Sequence, residues 1–292
     1  MTSFNNVIQG DNFNSLYRTL HEVILSNGII SRPRGMEIYE LLNCSIILTN
    51  PRNRLLESKV RKHSYTYACG EFFWYLRGTD SVDEIAFYLN RMRDFSDDGK
   101  TLNSAYGNRI FGIHKDFSNQ WQNVVNNLIK DRDSRQAVIT INYSHDLDKP
   151  SKDVPCTLNL QFIIRNNKLN MITRMRSNDT YMGLIYDVFS FTLLQEMMYN
   201  TLNEIFMKKL ELGSYVHNAG SSHMYARDLE GVYAIIDEQT TSVEQSPIDN
   251  HMIDKLKTLE IDLRTNRQPL LKKGLNTTYD WIVEKLNKKL DK

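Results

Sequence analysis

Cys156 stands just before a strand-like run over residues 159–165, with Arg176, Ser177, Asp179 and then Asp187 beyond the following hairpin. A cysteine is a good nucleophile only as its thiolate, and nearby positive charge lowers its pKa. Arg176 and Arg135 supply that charge if the strands bring them to Cys156. Taken alone, Cys156 reads better as a small buried side chain, because free cysteine is among the most buried residue types.

Glu71 sits among Phe72, Phe73, Trp74 and Tyr75. A carboxylate in such company needs a partner or a raised pKa if it is buried, and otherwise lies on a wet helix face. His223 and Tyr225 read on spacing alone as core residues with satisfied polar tips. Arg135 reads alone as a surface turn residue. Asp187 reads alone as a carboxylate favoured at a helix N-terminus.

The order of these residues changes their meaning. Pro155–Cys156, Gln161–Phe162, Arg176–Ser177 with Asp179, and Gly183 with Asp187 follow one another. Gly220, His223 and Tyr225 come after them, and Glu71 with Trp74, Tyr106–Gly107 and Asp133–Ser134–Arg135 come before. Each short match is weak, but together, in this order over residues 10–230, they resemble the thymidylate synthase family. The pairing of Cys156–Thr157 with an aspartate at position 187 is similar to the phage deoxycytidylate hydroxymethylases of that family.

The resemblance implies a site. Cys156 would add to C6 of a pyrimidine nucleoside monophosphate, and C5 would take a one-carbon unit from the co-substrate 5,10-methylenetetrahydrofolate. Arg176 and Ser177 would hold the phosphate, Arg176 as a bidentate donor. Arg135 would reach the phosphate in a neighbouring subunit's site, which requires a homodimer. Either Arg32 or Arg34 would stand for the family's mobile phosphate-binding arginine. His223 and Tyr225 would bond the sugar. Glu71 and Asp179 would organise water and proton transfer, and Tyr106 would assist at the C5 proton.

Asp187 carries the choice of base. Thymidylate synthases have asparagine there, and an amide complements the N3–H donor and O4 acceptor of uracil. Cytosine offers an amino donor at N4, which a carboxylate accepts well. If N3 gains a proton, the carboxylate meets two parallel donors. Leaving a buried polar group unpaired costs about 1–3 kcal/mol, so at least tenfold discrimination is expected.

Two departures favour water over hydride at the transferred carbon. Residues 91–95 contain no tryptophan, with Phe95 the nearest aromatic substitute, and residues 288–292 are Lys-rich rather than apolar. The product expected is 5-hydroxymethyl-(d)CMP. The alternatives are a C5 methyltransferase, on dUMP or dCMP, and a non-catalytic nucleotide-binding protein. Gln136, where the family has a second arginine, leaves a ribonucleotide substrate open, while Ser177 leans toward the deoxy sugar.

The elements that must carry these residues follow from periodicity. Helices are predicted over 11–26, 65–77 (ending at Gly78) and 81–92, and a buried one over 188–202. A strand is predicted within 38–48, another over 136–143, and a hairpin of 159–165 and 169–175 around the turn 166–168. Residues 31–35 and 238–246 read as loops, 94–100 as a turn, and residues 281–286 as part of a last helix. The fold class is α+β, one mixed sheet with surrounding helices. The resemblance adds a thymidylate synthase-like fold whose sheet face forms the dimer interface. Residues 1–292 read as a single domain with a divergent C-terminal region from about 231.

Composition agrees. The chain has 292 residues, 41% hydrophobic and 24% charged, with net charge +1. That fits one large domain and gives no basic field for a nucleic-acid polymer. Three cysteines without a C-x-x-C pair argue against a disulfide framework, so a reduced, cytoplasmic setting is expected. No leader, membrane span or metal site is expected.

Overall fold

The structure, a computed structural model, describes residues 6–112, 119–148, 150–207, 209–271, 274 and 276–291. Residues 1–5, read above for a leader, lie outside these, as does Lys292.

In chain order the elements are β1 (Asn6–Gly10), α1 (Phe13–Asn27), β2 (Ile29–Ser31), β3 (Ile38–Leu48), α2 (Tyr65–Arg77), α3 (Val82–Ala86), α4 (Tyr106–Phe111) and α5 (Gln120–Lys130). Then come β4 (Val138–Thr140), β5 (Thr157–Arg165), β6 (Lys168–Met175), β7 (Asn178–Asp179), α6 (Leu184–Ile205) and β8 (Glu211–Tyr225). α7 (Leu229–Asp237), α8 (Asn250–Asn266) and α9 (Thr277–Asn287) complete the described elements.

The strands form one mixed eight-stranded sheet with the path β1-β3-β8-β6-β5-β4, β2 pairing with β3 and β7 with β8. Rungs across it alternate in burial, as the period of two requires. Ile8, Ile46, His217, Thr173, Leu160 and Ile139 lie side by side and are all buried. The next rung, Gln9, Ile47, Val216, Ile172, Gln161 and Val138, points to the other face and keeps partial or full exposure.

α6 packs on β6 and β8 and is apolar nearly all round, as a buried helix must be. α1 turns Phe13, Leu16, Tyr17, Leu20 and Ile24 inward, and Asn12 caps it by accepting from Ser15 N–H. Such a cap contributes about 1 kcal/mol. α2 starts at Ser64, which accepts from Tyr67 N–H, and stops at Gly78 in the left-handed region. Asn166 and Asn167, both at positive φ, turn the β5–β6 hairpin.

Several expectations need correction. The helix over 81–92 is only Val82–Ala86, followed by a 3-10 turn at Asn90–Phe95. Tyr88 is drawn inward, its hydroxyl donating to Glu260 at 2.7 Å, and Leu89 is extended. That tertiary anchor outweighs local helical periodicity. The strand over 136–143 shrinks to Val138–Thr140, because Tyr143 instead opens a turn with Asp146. The buried helix begins at Leu184, so Asp187 lies inside its first turn, and Gly183 holds the cap position.

β8 was not anticipated. It is 15 residues long and lies between β3 and β6, its polar side chains matched by polar neighbours across the sheet. Asn218 donates to Ser45 Oγ at 2.9 Å, and Ser221 donates to Glu40 Oε2 at 2.5 Å. α8 was missed because it buries few apolar residues. Its buried Glu260 is held by Arg77 of α2 and by Arg264 at 3.4 Å.

Candidate active site

β6 and β7 pair with β8 in sequence and are separated by Arg176 and Ser177. The jog in the sheet therefore falls at the Arg–Ser pair. Gly220 makes it possible, since a Cβ there would approach Arg176 O to 3.0 Å. The Arg176 N–H donates to Cys156 O at 2.8 Å, joining the thiol's loop to this jog. The Arg176 guanidinium donates to Pro155 O and Val154 O, both at 2.9 Å.

The same loop is tied to α4. Asp153 accepts from Ser104 N–H at 2.7 Å and from Ser104 Oγ at 2.6 Å. That bond sets Tyr106, whose hydroxyl accepts from Thr157 N–H at 3.3 Å. α4 approaches α2 closely because residue 107 is glycine; a Cβ would meet the Tyr75 backbone at 2.3 Å. The Tyr106 and Tyr75 rings consequently lie 5.6 Å apart.

Glu71 is on the inner side of α2. Tyr67, four residues earlier, donates its hydroxyl to Glu71 Oε1 at 2.6 Å, and Tyr75, four residues later, also hydrogen-bonds to it. Glu71 keeps partial exposure as a residue, yet desolvation by burial pushes its carboxyl up to about 7. Trp74 points elsewhere, its Nε1 donating to Ser81 O at 3.1 Å.

Asp187 is half-buried beneath these groups and does not cap its helix. Asn178, 3% exposed, donates from Nδ2 to Asp187 Oδ2 at 2.7 Å. Desolvation first, then the nearby Glu71, raises the Asp187 carboxyl to about 8 against the opposing pull of the Asn178 bond.

These interactions draw Cys156, Glu71, Tyr106, Arg176, Asp179 and Asp187 into one constellation. Cys156 senses Arg176, Asp187 and Arg34, and Tyr106 senses both Cys156 and Asp187. The thiol itself departs from expectation. Burial raises its pKa more than Arg176 lowers it, with Asp187 and Asp153 adding to the rise. Arg135 gives it no help. Arg135 is exposed before β4, and its carbonyl accepts from Gln161 Nε2 at 3.0 Å. From position 156 to position 161 an extended chain covers roughly 17 Å. Arg135 is therefore not brought to Cys156 of its own chain.

The sugar and phosphate candidates divide similarly. His223 is buried, its Nδ1 lying 3.4 Å from Ser177 Oγ, and burial lowers its pKa. Tyr225 packs edge-on against it at 5.5 Å. Asp179 Oδ1 accepts from Tyr181 N–H at 3.1 Å and Met182 N–H at 2.9 Å, so one oxygen shapes the turn into α6. Arg32 is paired with Glu37 at 2.5 Å, whereas Arg34 acts on both Cys156 and His223. Arg34 is the better placed of the two.

Sequence reasoning missed Tyr67, Tyr75, Asp153 and Asn178. The tyrosines carried a signal, each lying four residues from Glu71 on a predicted helix. Asn178 carried none, since only its contact marks it. In the segment near Phe95, the side chain that reaches the site is Met92, whose sulfur lies 3.6 Å from Tyr67 Oη. Phe95 is 40% exposed.

Residues 15–268 match the family described as Thymidylate synthase, and the chain belongs to that family. It is 32% identical over 225 residues to a deoxyuridylate hydroxymethyltransferase of Bacillus phage SP01, covering 73% of this chain and 57% of that protein. It is 31% identical over 198 residues to the protein of the same name from Delftia phage PhiW-14, covering 63% of this chain and 52% of that protein. The chain thus spans little more than half the length of these relatives. The solved thermostable thymidylate synthase A from Bacillus subtilis shares the fold, with TM-score 0.66 and 20% identity over 80% of this chain and 86% of that one. No helix among the described residues is long and apolar enough to cross a membrane.

Proposed function

We propose that this chain is a one-carbon transferase acting at C5 of a pyrimidine nucleoside monophosphate, making 5-hydroxymethyl-dCMP from dCMP, 5,10-methylenetetrahydrofolate and water. The observation that carries the reading is the joint position of Cys156 and Asp187, each within electrostatic reach of the other and of Tyr106.

The co-substrate supplies the one-carbon unit. Cys156 Sγ bonds to C6, which makes C5 nucleophilic toward that unit. Tyr106 assists departure of the C5 proton. Glu71, with its carboxyl near 7, holds and activates the water that adds to the exocyclic methylene left when tetrahydrofolate departs, after which the Cys156–C6 bond breaks and frees the thiolate and the product. Arg176, Ser177 and Arg34 bind the phosphate, and His223 and Tyr225 the sugar. Cys156 enters as a thiol, so it must lose its proton once the anionic substrate and Arg176 are in place.

Asp187 near 8 retains a proton at neutral pH. The pair with cytosine then needs no extra proton from solvent, because one proton shared between the carboxyl and N3 satisfies both. Arg135 serves the site of a second copy, and the half-exposed rung through Ile47, Val216 and Ile172 is the surface proposed for the homodimer.

A second reading is supported by the names of the phage relatives, which act on deoxyuridylate. A protonated Asp187 has one donor and one acceptor, as an amide has, and would also fit uracil. Incubating the protein with methylenetetrahydrofolate and dUMP, dCMP or CMP, with products identified by mass, decides between them. The expected product is 5-hydroxymethyl-dCMP. Turnover of dUMP alone removes the cytosine reading, and no product from any nucleotide leaves a nucleotide-binding protein without catalysis.

A further inference from the structure

Asn178 has no role in the chemistry above, yet its Nδ2 donates to Asp187 Oδ2 at 2.7 Å. It is 3% exposed, and β7 fixes its backbone by pairing Asn178 with Ser222. Gly183 flanks the contact, a Cβ there lying 3.8 Å from Asp187 Oδ2 and 3.9 Å from Asn178 Nδ2.

We propose that Asn178 is a positioning residue that fixes the hydrogen-bonding polarity of Asp187 and thereby sets its preference for a cytosine edge over a uracil edge. The inference rests on the base-reading role proposed above for Asp187.

The reasoning is one of donors and acceptors. A neutral carboxyl carries its proton on one oxygen and accepts on the other. Because Oδ2 accepts from Asn178, the proton of neutral Asp187 is favoured on Oδ1. The carboxyl then presents donor and acceptor in one fixed order. Cytosine shows N3 as acceptor and N4 as donor, whereas uracil shows the reverse, N3–H as donor and O4 as acceptor. A fixed order fits one edge and sets like against like on the other. A carboxyl free to move its proton between its oxygens serves both.

The surroundings do not supply this polarity otherwise. Asp187 is faced by Glu71, Tyr67 and Tyr75 of α2 and by Tyr106 of α4. Cys156, Asp179 of β7 and Tyr215 of β8 face it from the sheet side. The acidic members of this set oppose ionisation of Asp187, and Asn178 is the neighbour that favours the charged form.

The test compares kcat/KM for dCMP and dUMP in the wild-type chain, Asn178→Leu and Asn178→Ser, between about pH 6 and about pH 9. Leucine keeps the shape and removes the donor; serine keeps a hydroxyl and is the fallback if the leucine variant does not fold. The expected result is a dCMP-to-dUMP ratio several-fold, up to about tenfold, lower in Asn178→Leu, the size of a lost hydrogen bond to a neutral group. The pH profile on dCMP moves upward as Asp187 loses the bond that lowers its pKa. A general packing defect would depress both substrates together and leave the ratio alone. A folded variant with unchanged ratio and unchanged profile overturns the role of Asn178. A wild-type chain that prefers dUMP, or turns over neither, overturns the reading of Asp187 instead.

Discussion

Tyr67 donates its hydroxyl hydrogen to Glu71 Oε1 at 2.6 Å from one turn earlier on the same helix. The bond favours the ionised carboxylate and offsets part of the rise that burial imposes, leaving Glu71 near 7. Removing it in Tyr67→Phe raises the Glu71 pKa by about one unit, since a hydrogen bond to a charge contributes about 1.5–3 kcal/mol and one unit corresponds to about 1.4. The Glu71-dependent limb of kcat against pH shifts upward. An unmoved limb would mean that Glu71 does not titrate in the reaction.

Asp187→Asn exchanges the carboxyl for an amide. Turnover of dCMP falls at least about tenfold and that of dUMP rises, read from product masses in competition. The same variant is more stable at alkaline pH. The carboxyl has a folded pKa near 8 against an ordinary value of 3.8. Its stabilising contribution is complete below about pH 4 and is lost as pH rises through about 8, and the uncharged amide has no such loss. Thermal melts at both ends of that window check the difference.

Cys156→Ala abolishes product while nucleotide binding, measured by calorimetry, stays within a few-fold. The thiol contributes chemistry and not the phosphate or sugar contacts. Residual turnover would remove Cys156 as the nucleophile.

Glu260 joins α8 to the helix that carries Glu71 through Arg77, and also accepts from Tyr88, which follows α3, and pairs with Arg264 of its own helix. Glu260→Ala removes one of the two carboxylates that hold Arg77, which keeps Glu84 at 2.5 Å, and takes the acceptor from the Tyr88 hydroxyl, costing about 2 kcal/mol of stability. Urea unfolding measures this. A change below about 0.5 kcal/mol would mean the pair contributes little.

Two buried histidines set the acid limit. Burial depresses His217 to about 3 and His21 to about 4, from 6.5. In the unfolded chain both take up protons below about pH 6.5, where the folded chain resists. Stability therefore falls as pH drops from about 6.5 toward 3. His217→Gln flattens the lower part of that decline in pH-dependent melts.

The motif order alone gave Cys156, Glu71, Arg176, His223 and Asp187, because each residue type carries a chemical capacity and their succession is specific to the family. Local periodicity gave α1, α2, the β5–β6 hairpin and α9, where the buried faces are apolar and the stop residues, such as Gly78, are local. It failed for β8, whose polar side chains are satisfied by strands distant in sequence. It failed for α8, where Glu260 is buried by arginines rather than by oil-like packing. Only the tertiary structure separated Arg34 from Arg32. It also turned Asp187 from a possible helix cap into a desolvated carboxyl held by Asn178. Those outcomes depend on distances between segments, and a linear pattern of residue types contains no such distances.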